Sequence, residues 1–239
     1  VTTGPETFAT RSTIRFTCAE PSSATFVDFV GDEVTGLTLN GTELDPAAHY
    51  ADSRITLPDL AADNVVVITA TGRYTNTGEG LHRFVDPVDD EVYLYSQFET
   101  ADAKRMFACF DQPDLKAAFD ITVTAPAHWE VISNGATVTA EQTGDAKQHT
   151  FKATPRMSTH LGALIAGPYA RWDDVYSDDH GDIPLGIFCR KSLGEYMDEQ
   201  RLFTETKQGF AFYHNNFGTP YAFGKYDQLF VPEFNAGAM

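Results

Sequence analysis

Val34-Thr35-Gly36-Leu37-Thr38-Leu39-Asn40-Gly41 sets the grammar of this chain. Leu37 and Leu39 alternate with threonine, and Asn40-Gly41 is a pair that tolerates the left-handed backbone of a two-residue hairpin turn. Successive side chains on a strand point to opposite faces, so the stretch predicts a half-buried strand closed by a tight turn. The same alternation lies upstream, where Ile14, Phe16 and Cys18 are separated by Arg15 and Thr17. Downstream it returns at 65–70, 91–98, 118–124, 161–172 and 183–190, while 137–142 and 148–153 read as a further hairpin. Strands this short and this evenly spaced up to residue 191 predict a mainly β domain of stacked sheets. One interruption, 101–109, is rich in helix formers after Thr100 and predicts a short capped helix lying over a sheet.

Beyond Ser192 the period changes. Residues 195–217 contain no proline and one glycine, and Phe203, Phe210 and Phe217 recur at heptad spacing, which predicts one amphipathic helix whose rings are core packing. Gly218-Thr219-Pro220 ends it, and 226–234 reads as a strand. One helix and one strand cannot bury their apolar faces alone. Residues 1–191 are therefore expected to form a β domain, and 192–239 the truncated start of a second one.

The 239 residues carry 17 basic against 34 acidic side chains, a formal charge of −17. Such a field repels nucleic acid and anionic lipid, which excludes both as partners. The densest apolar run, 64–70, is far shorter than the ~20 residues of a membrane helix, and the first residues show no signal-peptide pattern. A soluble, cytoplasmic protein is expected. Cys18, Cys109 and Cys189 are odd in number, widely spaced and flanked by Phe16, Phe110 and Phe188, as buried thiols of a reducing compartment would be. None of the seven histidines belongs to an HExxH pair, and GxGxxG, GxxxxGK and GxSxG are all missing. A histidine such as His82 or His160 then reads as an ordinary structural residue. The acidic runs Asp173 to Asp182 and Asp86, Asp89, Asp90, Glu91 read as solvated turns, and neither has EF-hand spacing.

Two segments carry more. The first is Tyr95-Ser-Gln97-Phe98-Glu99, followed by Cys109-Phe-Asp111-Gln112-Pro113-Asp-Leu-Lys116-Ala; the second is Lys225-Tyr-Asp227-Gln-Leu-Phe-Val-Pro232-Glu233-Phe-Asn-Ala-Gly237-Ala238-Met239. In this order and spacing they closely resemble the aminopeptidase N family of zinc-dependent gluzincin metallopeptidases. Gln97-Phe98-Glu99 resembles the family's amine-recognition motif. The segment from Cys109 resembles its Cys-Phe-Asp-Glu-Pro-x-x-Lys-Ala signature, with Gln112 in place of the commoner Glu. Gly237-Ala238-Met239 resembles the first half of its Gly-Ala-Met-Glu-Asn motif, and Gly78-Glu-Gly-Leu81 its strand-end pattern.

The resemblance implies a saddle-shaped, multi-sheet β domain followed by the first helix and strand of a thermolysin-like catalytic domain. It also implies that the zinc ligands, general base and transition-state tyrosine lie beyond Met239. This stretch then binds no metal and is inactive alone, and the remaining domains of the parent are its partners. What it would contribute is substrate binding, through Gln97, Glu99, Gly237, Ala238 and Met239.

Elementary chemistry supports the assignment. An exopeptidase must tell a free N-terminus from an internal peptide bond, the difference is an ammonium group, and a carboxylate such as Glu99 reads it. Small residues such as Gly237 and Ala238 let an extended peptide add as a strand. Glu99 capping the helix expected from Ala101, and Gln97 making a cross-strand hydrogen bond, are the alternatives on residues alone. At the level of the whole chain the alternative is a non-catalytic β-domain scaffold or interaction module of the same family, which has no need of amine-binding geometry. The epoxide-hydrolysing leukotriene branch is a further one, and it usually carries Gln at the position of Glu99.

Overall fold

The computed structural model describes residue 1 and residues 4–237. In chain order its elements are β1 (Thr7–Thr17), β2 (Thr25–Asp28), β3 (Glu33–Leu39), β4 (Thr42–Leu44), the single turn α1 (Pro46–His49), β5 (Tyr50–Ala51), β6 (Arg54–Leu57) and β7 (Asp63–Arg73). Then follow β8 (Gly80–Val85), β9 (Val92–Gln97), β10 (Thr122–Pro126), β11 (Glu130–Ser133), β12 (Thr137–Thr143), β13 (Ala146–Phe151) and β14 (Leu164–Gly167). The last elements are β15 (Tyr169–Asp178), β16 (Gly181–Arg190), α2 (Glu199–Phe217) and β17 (Tyr226–Phe230). The protein is mainly β, as the alternation predicts.

Sheet β1-β7-β3-β4 packs with sheet β2-β6-β5 around Val27, Phe29, Leu37, Ile55, Leu57, Val66 and Ile68. The β3–β4 hairpin turns at Asn40 and Gly41, both at positive φ, where Leu39 faces Thr42. A second body is layered around sheet β11-β14-β9-β8. One face of that sheet, with Leu81, Leu94, Val131 and Leu164, lies on Val123, Ala125 and Phe151 of sheet β10-β13-β12. Its other face, with Tyr93, Tyr95, Ile132 and Ile165, lies on Tyr169 and Phe188 of sheet β15-β16-β17. Helix α2 covers the far side of that last sheet, burying Phe203 against Ile183, Leu185 and Ile187. No helix among the described residues is long and apolar enough to cross a membrane.

Several elements differ from expectation, each for a physical reason. β8 and β11 escape the period-two reading because successive residues are buried in each, Gly80 to His82 and Val131 to Ser133, and the polar His82 and Ser133 among them break the apolar alternation. The expected strand 161–172 is broken at Gly167-Pro168, since proline offers no N–H to a ladder, and it divides into β14 and β15. The expected strand 226–234 stops at Phe230, and Pro232 follows. Helix α2 begins at Glu199, after a 3-10 stretch at Lys191–Tyr196, with Asp198 accepting from the Arg201 N–H; it ends at Gly218 in the left-handed conformation.

The helix expected over 101–109 is only a 3-10 turn, Ala103–Arg105. Cys109 exchanges backbone hydrogen bonds with Asp28 at 2.8 and 3.1 Å, and Asp111 accepts from the Lys104 N–H. These tertiary bonds draw the chain out of helical geometry.

The acidic runs are turns only in part, at 87–89 and 179–180, and several of their carboxylates are paired rather than solvated. Asp173 to Asp182 spans β15 and β16, and alternation sends Trp172, Asp174, Tyr176 and Asp178 inward while Asp173, Val175 and Ser177 face water. Asp174 pairs with Lys207 of α2 at 2.7 Å, and Asp178 with His214 at 2.5 Å. Asp86 is 0% exposed and is held by Arg190, Ser192 and the Val88 N–H.

Candidate functional site

The site is built at the open end of the β8–β9 pair. The two strands run antiparallel with Gly80 opposite Gln97 and His82 opposite Tyr95. Gly78 and Gly80 lead into β8 at φ 82° and 66°, a conformation glycine adopts without penalty. Both are also crowded: a Cβ on Gly80 would lie 2.7 Å from the Arg105 Cβ, and one on Gly78 would lie 2.8 Å from the Asn235 side-chain nitrogen. Arg105 is itself held by Asp102 at 2.7 Å and by Glu79 at 3.6 Å.

Gln97 ends β9, Phe98 is buried with Ala103 and Cys109 beneath it, and Glu99 emerges exposed. The side-chain oxygen of Gln97 accepts the Glu99 backbone N–H at 2.5 Å, so these two residues are joined through the turn rather than across strands. The Glu99–Thr100 peptide is cis. No α-helix begins at 101 for Glu99 to cap; the 3-10 turn Ala103–Arg105 follows Asp102, whose carboxylate engages Arg105. Among the described residues the Glu99 carboxylate has no ion-pair or hydrogen-bond partner.

The segment after β17 comes back to this corner. Glu233 adopts a left-handed φ of 53° and is gripped twice: His82 Nε2 meets its carboxylate at 3.2 Å, and the Tyr95 hydroxyl donates to its carbonyl at 3.3 Å. Phe234 packs edge-on against Tyr95, and the Asn235 amide donates to the Thr77 carbonyl at 3.4 Å. Gly237 is exposed with open space around it, while Ala238 and Met239 lie outside the described residues. Gly78 to Gly80 is thus the common neighbour of the two motif segments, touching Asn235 at one end and paired with Gln97 at the other.

His82 is 1% exposed and stacks on Tyr95 with ring centres 4.7 Å apart. Burial lowers its pKa, only partly countered by Glu233, so the ring is neutral. Burial, with the Glu233 charge adding to it, raises that of Tyr95. Sequence reasoning takes His82 as an isolated structural residue and misses Glu233 and Tyr95. No local signal joins positions 151 residues apart.

The segment from Cys109 braces this corner from below. Asp111 accepts from the Thr159 hydroxyl at 2.9 Å and the Lys104 N–H at 3.2 Å. Burial, with the Asp111 and Asp28 carboxylates adding to it, pushes the Cys109 thiol well up, as the buried-hydrophobe reading expects. Gln112, the departure from the family signature, bonds through its backbone N–H to the Phe110 carbonyl.

Among the described residues no group of three or more His, Cys, Asp or Glu side chains is placed to hold a metal ion.

A family model for the peptidase M1 N-terminal domain matches residues 2–161. The chain is 51% identical over 236 residues to aminopeptidase N of Streptomyces lividans, covering 98% of this chain and 27% of that protein. It is 31% identical over 244 residues to aminopeptidase N of Acetobacter pasteurianus, covering 96% of this chain and 66% of that protein. With aminopeptidase N of Canis lupus familiaris it shares 27% identity over 259 residues, 99% of this chain and 26% of the relative. The chain therefore spans about a quarter of the length of the Streptomyces and dog relatives.

Proposed function

The chain belongs to the peptidase M1 family, whose N-terminal domain it carries, and we propose that within a longer zinc aminopeptidase it supplies recognition of the substrate's free α-amine. The observation that carries this reading is the meeting of the segment ending in Glu99 with the segment ending in Gly237 on either side of the Gly78 to Gly80 turn. In it Glu99 accepts the ammonium group of the peptide, and Gln97, whose amide nitrogen has no partner among the described residues, fixes the Glu99 backbone and donates to the same substrate. Gly237, with Ala238 and Met239, offers main-chain groups to the peptide as an added strand.

Zinc, and the groups that attack the peptide bond, belong in this proposal to the rest of the parent protein. Residues 1–191 are the N-terminal β domain and 192–239 the opening of the catalytic domain, the β16–β17 pairing then joining the two. Partners are peptides with a free N-terminus and the parent's remaining domains, and the compartment is the cytoplasm.

The test is Glu99→Gln in the full-length protein, assayed on one dipeptide with a free and with an acetylated amine. Loss of a charge-assisted hydrogen bond worth about 1.5–3 kcal/mol lowers the preference in kcat/KM by about 10-fold to 150-fold. An unchanged preference would show that Glu99 does not read the amine.

A further inference from the structure

We infer that His82 is a positioning residue for segment 233–237, whose Gly237 is proposed to meet the substrate, acting through Glu233; this rests on the reading just proposed. The ring is used at both nitrogens. A backbone N–H can only donate, so the Gly78 N–H at 3.0 Å from Nδ1 makes Nδ1 the acceptor. Nε2 therefore carries the hydrogen and donates it to the Glu233 carboxylate. Stacking on Tyr95, its register partner, sets the ring plane, and Tyr95 holds the Glu233 carbonyl from the adjacent strand.

Glu233 needs such a double grip. A non-glycine residue in the left-handed region is strained, and the conformation occurs where the chain leaves β17 for Gly237. The Gly78 bond is local and keeps the ring in its tautomer, whereas the Glu233 bond crosses from one motif segment to the other. Losing the second releases the course of 233–237 and leaves β8–β9 in place. The substrate's main chain then loses its docking edge, while the group that reads its amine, Glu99, stays.

The two nitrogens can be separated by isosteric replacement in the full-length protein. His82→Asn keeps an acceptor at the position of Nδ1 and removes the donor to Glu233; His82→Gln places an amide donor near Nε2. Glu233→Ala cuts the link from the other side, at a side chain 55% exposed, where folding is least at risk. Each variant is compared with wild type and with Glu99→Gln for kcat and KM on a dipeptide.

His82→Asn and Glu233→Ala are expected to raise KM about tenfold with kcat within about twofold, and His82→Gln to recover most of the loss. If Glu99→Gln impairs amine selection while His82→Asn and Glu233→Ala leave KM unchanged, the positioning role is overturned and the amine reading stands. If His82→Gln fails as His82→Asn does and kcat falls with it, the ring is structural only, and the inference is again overturned. If Glu99→Gln changes nothing, both the reading and the inference built on it fail.

Discussion

Replacing Asp86 by alanine should be the most costly single carboxylate deletion in this chain. The side chain is fully buried and accepts from Ser192 Oγ at 2.5 Å, the Val88 N–H at 3.0 Å and Arg190 Nη1 at 3.1 Å. It fastens the β8–β9 connection to the end of β16 and the start of the segment from 191, with Tyr93 beside it donating to Asp89 and accepting from the Lys191 N–H. Burial by itself raises the Asp86 pKa, but the Ser192 hydroxyl, the Val88 N–H and Arg190 together outweigh it and hold the carboxyl below its usual range. Alanine leaves the Arg190 guanidinium, only 21% exposed, without its counter-charge. Breaking a buried pair from one side costs about 3–5 kcal/mol. Asparagine keeps the shape and one acceptor oxygen, and should cost less, about 1.5–3 kcal/mol for the lost charge-assisted bonds. Urea unfolding at pH 7, followed by the fluorescence of Trp129 and Trp172, measures both, with exposed Asp182→Asn expected within about 0.5 kcal/mol of wild type. Because the folded pKa is depressed, the contribution is complete above the unfolded carboxylate value near 4 and fades as pH falls through the lower folded value. An Asp86→Ala variant as stable as Asp182→Asn would refute the reasoning.

Two further outcomes are expected. Gly80→Ala places a Cβ 2.7 Å from the Arg105 Cβ at a left-handed position, so strain and overpacking should destabilise the protein by about 2–4 kcal/mol in the same urea assay; a change under about 0.5 kcal/mol would mean that the turn relaxes freely. His82 and His149 are both held neutral by burial, so the unfolded chain takes up protons first, and stability should fall as pH drops below the unfolded value near 6.5, by up to about 1.4 kcal/mol per pH unit for each group. A urea midpoint unchanged between pH 7 and pH 5 would contradict those directions.

Local chemistry in the sequence was enough for the elements whose causes are local. Alternation and Asn40-Gly41 determine the β3–β4 hairpin, the two short alternating runs determine β12 and β13, and Phe203 with Phe210 and the stop at Gly218 determine α2. The motif spelling also marked Gln97, Glu99 and Gly237 as site candidates. Tertiary structure decided whatever depended on a distant partner. β8 and β11 look unlike strands because successive residues of each are buried, and at the end of the region 101–109 the backbone of Cys109 is claimed by Asp28. The acidic runs illustrate the same limit: a count of charges predicts solvation, but the strand period turns Asp174 and Asp178 toward Lys207 and His214, and Arg190 draws Asp86 inside. At the site the sequence supplied the residues proposed to face a substrate and not those that hold their segments in place. His82, Tyr95 and Glu233 meet only because sheet β11-β14-β9-β8 passes under the returning chain, a contact between positions 151 residues apart that exists only once the layers have packed.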